Sequence, residues 1–167
     1  MPQLKKQTKL YLGIDPGASG GVALVGDTAP ILYPMPKTEN DVWGLISAMK
    51  DLGSTFAYIE KVGGYIGGVG HPGSAMFNFG KGYGGLRMAL IAARIPFEEI
   101  PPQTWQKRMG VTPRKKKSKN SAGESKSQFK NRLKARAQQL FPHVNITLAT
   151  ADAILIAEFC RRSNTNG

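Results

Sequence analysis

Residues 10–26, LYLGIDPGASGGVALVG, run as an apolar strand into a lone carboxylate, Asp15, turn through Pro16 and Gly17, and return as a second apolar strand. The first strand is read over 9–14 and the second over 20–26, joined by a turn of Gly, Ser and Pro. A charge set where a buried strand stops is held rigidly and left open to a ligand. Asp15 before Pro-Gly also fits a plain turn former.

Two further acids interrupt apolar stretches in the same manner. Glu60 stands near the end of TFAYIEKV (55–62), read as a strand. Asp152 stands in the first turn of TADAILIAEFCRR (150–162), read as the last helix. Taken singly, Glu60 beside Lys61 fits a surface pair, and Asp152 fits a favourable helix-dipole contact. If the strands ending at Asp15 and Glu60 are parallel neighbours, their ends lie about 5 Å apart. A terminal helix packed on that edge brings Asp152 to the same point. Like charges about 4 Å apart repel by roughly 4 kcal/mol at an effective dielectric near 20. Clustered acids therefore bind protons or a cation. Oxygen donors alone suit Mg²⁺ or Mn²⁺. Two such ions about 4 Å apart stabilise both attacking and leaving oxygens in phosphodiester cleavage.

The rest of the chain fits an α/β domain. PILYPM (30–35) is read as a short edge strand, because prolines bracket it. Val42, Leu45, Ile46 and Met49 recur at helical spacing over 39–52, with Gly53 as the stop. A glycine-rich loop (63–73) leads into a helix over 74–95. Residues 96–105 carry a short strand and a proline turn, and 128–141 form a basic helix with Phe129, Leu133 and Leu140 as its stripe. Strand, strand, strand, helix, strand, helix, short strand, helix, helix is an α/β order led by a hairpin, not an alternating Rossmann series. One domain over 1–167 is expected, with a basic flexible loop at 110–127 inside it.

Charge is uneven. The net charge is +12, and between Lys107 and Arg136 twelve Lys and Arg face one acid, Glu124. A one-sided basic stripe is the footprint of a polyphosphate partner, although charge alone separates neither DNA from RNA nor binding from catalysis. No apolar run approaches the roughly 18 residues of a membrane span, so no membrane partner is expected. The first ten residues show no apolar signal core, and one cysteine, Cys160, excludes an internal disulfide. Both lead to an expectation of a cytoplasmic protein.

Together these segments resemble the RuvC-like Holliday junction resolvases, in the branch with phage, bacterial and chloroplast members. GIDPGASGGVALV, AYIEKV and TADAILIAEFCRR are similar to the family's first, second and last-helix motifs. FNFGKGYGGLRMALIAARIPFEEIPPQTWQK and KNRLKARAQQLFP resemble its middle and its penultimate helix. The resemblance implies a ribonuclease H-like mixed five-stranded sheet flanked by helices. It implies paired, symmetric nicking of four-way DNA junctions by a homodimer with Mg²⁺ (Mn²⁺ as a substitute), two ions per site. Asp15, Glu60 and Asp152 match the acidic metal ligands, and Lys130 matches a basic position facing the scissile phosphate. Lys126 lies one helical turn earlier, and Lys115, Lys116, Lys117, Lys119 and Arg132 are further candidates for DNA contact. Tyr65, among glycines, is a candidate for stacking on an unpaired base, with ordinary packing as the alternative.

The pattern departs from the family at one place. Relatives carry a fourth acid or a histidine three or four residues before the last-helix Asp, where this chain has Ala149 and Leu148. A junction-binding protein with weak or no cleavage is one alternative, and a ribonuclease H-like nuclease with another nucleic acid substrate is a second. GKGYGG (80–85) matches a dinucleotide-binding pattern, but its flanks suit close helix packing, here against a twin subunit along helix 74–95. Phe77, on the other side of the glycine loop, is also a candidate for base stacking, with ordinary packing favoured; Trp43 and Trp105 are expected to be core or packing residues, and His71 a plain loop residue.

Overall fold

The computed structural model describes residues 8–63 and 73–165. Tyr65 and His71 lie outside the described residues. Five strands form one sheet: β1 (Lys9–Asp15), β2 (Gly21–Gly26), β3 (Ile31–Pro34), β4 (Ser54–Glu60) and β5 (Phe97–Ile100). Their order is β3-β2-β1-β4-β5. β1, β2 and β3 form an antiparallel meander, while β4 and β5 run parallel to β1. The proline-bracketed β3 is an edge strand, as expected.

Helices cover both faces. α1 (Glu39–Asp51) and α2 (Gly73–Ala92) enclose one core with Leu10, Leu12 and Ile14 of β1 and Ala57 and Ile59 of β4. α3 (Pro102–Arg108), α4 (Lys126–Leu140) and α5 (Ala151–Thr165) enclose the other, with Tyr11 of β1 and Tyr58 of β4. Side chains alternate along a strand, so Gly13 and Asp15 share the α5 face with Tyr11, and Glu60 shares it with Tyr58.

α5 is buried from Ala151 through Glu158, because it lies across β1, β2 and β4 in the centre of its layer. Gly13 permits this. A Cβ there would sit 2.2 Å from both Ala153 O and Ala157 N, so only hydrogen fits between strand and helix. Ala153 and Ala157 are the small counterparts on α5. Among the described residues no helix is long and apolar enough to cross a membrane.

Several expectations change. The proline turn after β5 is the start of α3: Pro102 takes a first-turn position, where a missing N–H costs nothing. α4 begins at Lys126 rather than 128, fixed by a capping box of Ser125 and Gln128. α2 ends at Ala92, and Arg94 follows with φ 52°. Trp43 and Phe77, expected as packing residues, are exposed, because the faces of α1 and α2 that carry them turn away from the sheet.

Candidate active site

The register Ile14↔Ile59 sets Asp15 beside Glu60 at the carboxyl ends of two parallel strands. Past Asp15 the chain reverses through Gly17, whose φ of +109° is unfavourable for other residues, closed by Gly20 N–H donating to Gly17 O at 3.1 Å. α5 starts on the opposite side of this edge. Ala151 N–H donates to Thr147 O, and the Thr150 hydroxyl accepts from Thr147 N–H. Asp152 therefore stands one residue into the helix, buried and facing Asp15 across the α5 layer.

Lys130 of α4 completes the cluster. Its Nζ lies 2.5 Å from Asp152 Oδ2 and 3.9 Å from Asp15 Oδ2. An ammonium thus already occupies the space between two carboxylates. The Glu60 charge acts on Lys130 as well. Burial pulls the ammonium down, but Asp152, Asp15 and Glu60 together hold it above its usual range. One ammonium cannot balance three carboxylates. Burial, reinforced by Asp152 and Glu60, pushes Asp15 up to about 8 against the pull of Lys130. Burial also raises Glu60, partly offset by a hydrogen bond from Trp105, with Asp152 adding to the rise.

This has a consequence for stability. Asp15 moves from an ordinary 3.8 to about 8 on folding, so between those values the folded chain holds a proton that the unfolded chain releases. Its stabilisation is full at low pH and is lost as pH rises through the folded value. Glu60 shifts in the same direction. The melting temperature of metal-free protein is expected to fall from about pH 5 to about pH 8, with saturating Mg²⁺ flattening the slope. Melts followed by circular dichroism in chelator and in Mg²⁺ check this; a metal-free curve flat across that window contradicts the assignment.

The donor set fits a divalent cation. It consists of oxygens, and Asp152 Oδ1 is buried without a hydrogen-bond partner. An orphaned carboxylate oxygen in a cluster with excess negative charge is a vacant donor. As the side chains stand, no three His, Cys, Asp or Glu among the described residues lie close enough to share one ion. Lys130 pairs with Asp152, and the Trp105 Nε1–H donates to Glu60 Oε2 at 2.8 Å. Mg²⁺ keeps several waters and takes only one or two carboxylates directly, so a closed three-acid shell is not required.

The basic stretch carries hydrogen bonds of its own and to α4. Backbone bonds between Ser118 and Ser121 close its tip. Glu124 N–H donates to Lys115 O at 2.9 Å, and the Glu124 carboxylate accepts from Arg132 Nε at 3.0 Å and Nη2 at 2.9 Å. Arg132 Nη1 also donates to Thr112 O. The single acid of the stretch thus clamps the loop to α4, and the Arg132 guanidinium is engaged in the clamp. Lys115, Lys116, Lys117 and Lys119 are exposed, and their ammonium groups form no ion pair among the described residues. Lys126 is exposed one turn before Lys130 on α4.

At the position of the absent fourth acid, Leu148 is exposed and Ala149 O lies against β2, where it is the nearest atom to a Cβ built at Gly21. Glu158, also on α5, faces away from the site and is held ionised by Arg161 and Arg162 at 2.8 and 2.7 Å, which outweigh its burial. His143 is exposed. Sequence reading missed the bond from Trp105 to Glu60 and the clamp at Glu124. A tryptophan after Pro-Pro carries no mark of its partner 45 positions away, but a lone acid among twelve basic residues was a visible signal.

No family model matches the chain, and no curated protein matches it in sequence. Solved structures do. RuvC from Thermus thermophilus in complex with a Holliday junction substrate superposes with a TM-score of 0.56 at 15% identity, covering 94% of this chain and 97% of that one. A second Thermus thermophilus RuvC structure gives 0.53 at 15%, covering 93% and 97%. The similarity spans nearly the whole of both chains, and the chain therefore has the RuvC fold, a ribonuclease H-like mixed sheet of five strands with helices on both faces.

Proposed function

We propose that the protein is a divalent-metal-dependent endonuclease that resolves four-way DNA junctions by paired symmetric nicks. The observation carrying this reading is the meeting of Asp15 and Asp152 at the Lys130 ammonium, with Glu60 beside Asp15 at the next strand end and a buried Asp152 oxygen left unpartnered. The basic loop, and a similar structure described as a complex with a Holliday junction substrate, support branched DNA as the substrate.

Asp15, Glu60 and Asp152 would hold Mg²⁺, or Mn²⁺ in its place, two ions in the full site. The bound ions supply Lewis-acid activation and stabilise the charge that develops on the transferring phosphate. Lys130 is anchored beside Asp15 and Asp152, and with metal bound there its ammonium would be the protein's cation placed to meet a phosphate oxygen. Lys115, Lys116, Lys117, Lys119 and Lys126 hold the DNA backbone without reading bases. Replacing Lys115, Lys116 and Lys117 together by Ala is expected to weaken junction binding and to flatten the log–log salt dependence by roughly 2–3 units. Filter binding over a salt series measures it, and an unchanged slope removes these residues from the interface.

Symmetric nicks on a symmetric junction require a two-fold dimer. α2 offers a face for it. Phe77, Met88 and Ile91 are 72%, 58% and 55% exposed, and a Cβ at Gly80 or Gly84 on the same helix face meets nothing within 4 Å. This stripe supports α2 as the interface between two copies.

The deciding experiment is a panel of labelled junction, duplex and RNA–DNA hybrid with Mg²⁺ and then Mn²⁺. Paired nicks confined to the junction are expected. Equal cutting of duplex or hybrid contradicts a resolvase. The second reading, a junction-binding protein that cleaves poorly, is favoured by Leu148 and Ala149 at the fourth-ligand position. Binding without nicks in either metal selects it.

A further inference from the structure

We propose that Trp105 is a positioning residue for Glu60, fixing one carboxylate oxygen so that the other faces the cation; this rests on the reading of Glu60 as a metal ligand. Trp105 is 0% exposed and belongs to the core beneath α5, with Met109, Val111 and Leu133. Its Nε1–H donates to Glu60 Oε2 at 2.8 Å.

Filling space does not explain a tryptophan at this position. A Phe or Leu fills a core without a polar atom, whereas a buried indole N–H must find an acceptor. The acceptor here is a candidate ligand at the last residue of β4, not a spare carbonyl. The ring is seated on α3 and enclosed on all sides, so it cannot follow the carboxylate if that group swings. The indole is a donor only, so it engages Oε2 and leaves Oε1 as the free oxygen. A ligand held this way binds its cation without first losing side-chain freedom, and partners of this kind typically change metal affinity 10–100-fold.

The test is Mn²⁺ binding to the full chain by isothermal titration calorimetry, with Trp105→Phe, Glu60→Ala and the double variant. Trp105→Phe keeps an aromatic ring and removes the N–H. It is expected to weaken Mn²⁺ binding about tenfold, and to add nothing once Glu60 is already Ala. Unchanged Mn²⁺ affinity in Trp105→Phe overturns the proposal, as does an equal loss in both backgrounds, which marks simple packing. Absence of Mn²⁺ binding by the unaltered protein instead overturns the metal-site reading beneath it. If Trp105→Phe does not fold, Trp43→Phe decides, because it leaves Trp105 as the sole indole. Mg²⁺ is then expected to change the emission of that indole, and emission indifferent to Mg²⁺ overturns the proposal.

Discussion

Replacing Asp15 by Asn is expected to reduce junction nicking roughly a thousandfold or more while leaving junction affinity in chelator within about twofold. The ions are credited with several kcal/mol of charge stabilisation in the transition state, and each 1.4 kcal/mol is about a factor of ten in rate. Asn preserves the shape of the side chain and removes its charge, while the basic loop proposed to hold DNA is untouched. A fold defect is distinguished by the melting curve. Asp15 is raised to about 8 because burial, reinforced by the Asp152 and Glu60 charges, disfavours its ionised form, so the neutral amide relieves the metal-free protein. The variant is therefore expected to melt no lower than the parent in chelator at pH 8, and to lose much of the decline between about pH 5 and pH 8. Full nicking by Asp15→Asn removes the residue from the centre.

Gly13→Ala is expected to have the largest effect on stability for a single methyl group. The added carbon would sit 2.2 Å from two backbone atoms of α5, and backbone cannot rotate away. Overpacking of this kind costs about 1–3 kcal/mol and at times more. α5 must retreat, and Asp152 retreats with it, away from Asp15. A misplacement of about 1 Å at reacting groups can cost on the order of a hundredfold. Nicking by the folded variant is thus expected to fall further than its lost stability accounts for. Gly44→Ala in α1 is the control, since a Cβ there meets nothing within 4 Å. It is expected to stabilise by up to about 1 kcal/mol through helix propensity. Comparable melting temperatures for the two variants contradict the close contact of β1 with α5.

The opening stretch of the chain was legible because its signals are local. Apolar residues alternating between two cores, a carboxylate at the strand end and Pro-Gly in the turn are all readable within residues 10–26. The same holds for the stripe of α4, where Leu133 is buried and Phe129 and Leu140 pack against the core. Glu60 and Asp152 were legible as acids out of place, and the parallel register of β1 with β4 sets Glu60 beside Asp15. What was not legible depends on distant partners. α3 was hidden because two prolines read as a turn until Trp105 is seen buried beneath α5. The Glu124–Arg132 clamp on the basic loop was hidden because it joins two charged side chains eight positions apart and leaves no apolar pattern. Trp43 and Phe77 show the opposite error: large side chains were read as packing residues, while the helix faces that carry them are turned outward.

The central claim is that Asp15, Glu60 and Asp152 are ligands for divalent cations at one edge of the sheet, beside Lys130. Crystals soaked in Mn²⁺ and measured for anomalous scattering test it most directly. The expected result is an anomalous peak about 2.2 Å from carboxylate oxygens of Asp15 and Asp152, with Lys130 Nζ displaced from between them. A map without a peak at this edge of the sheet, and Lys130 still seated on Asp152 at saturating Mn²⁺, contradicts it.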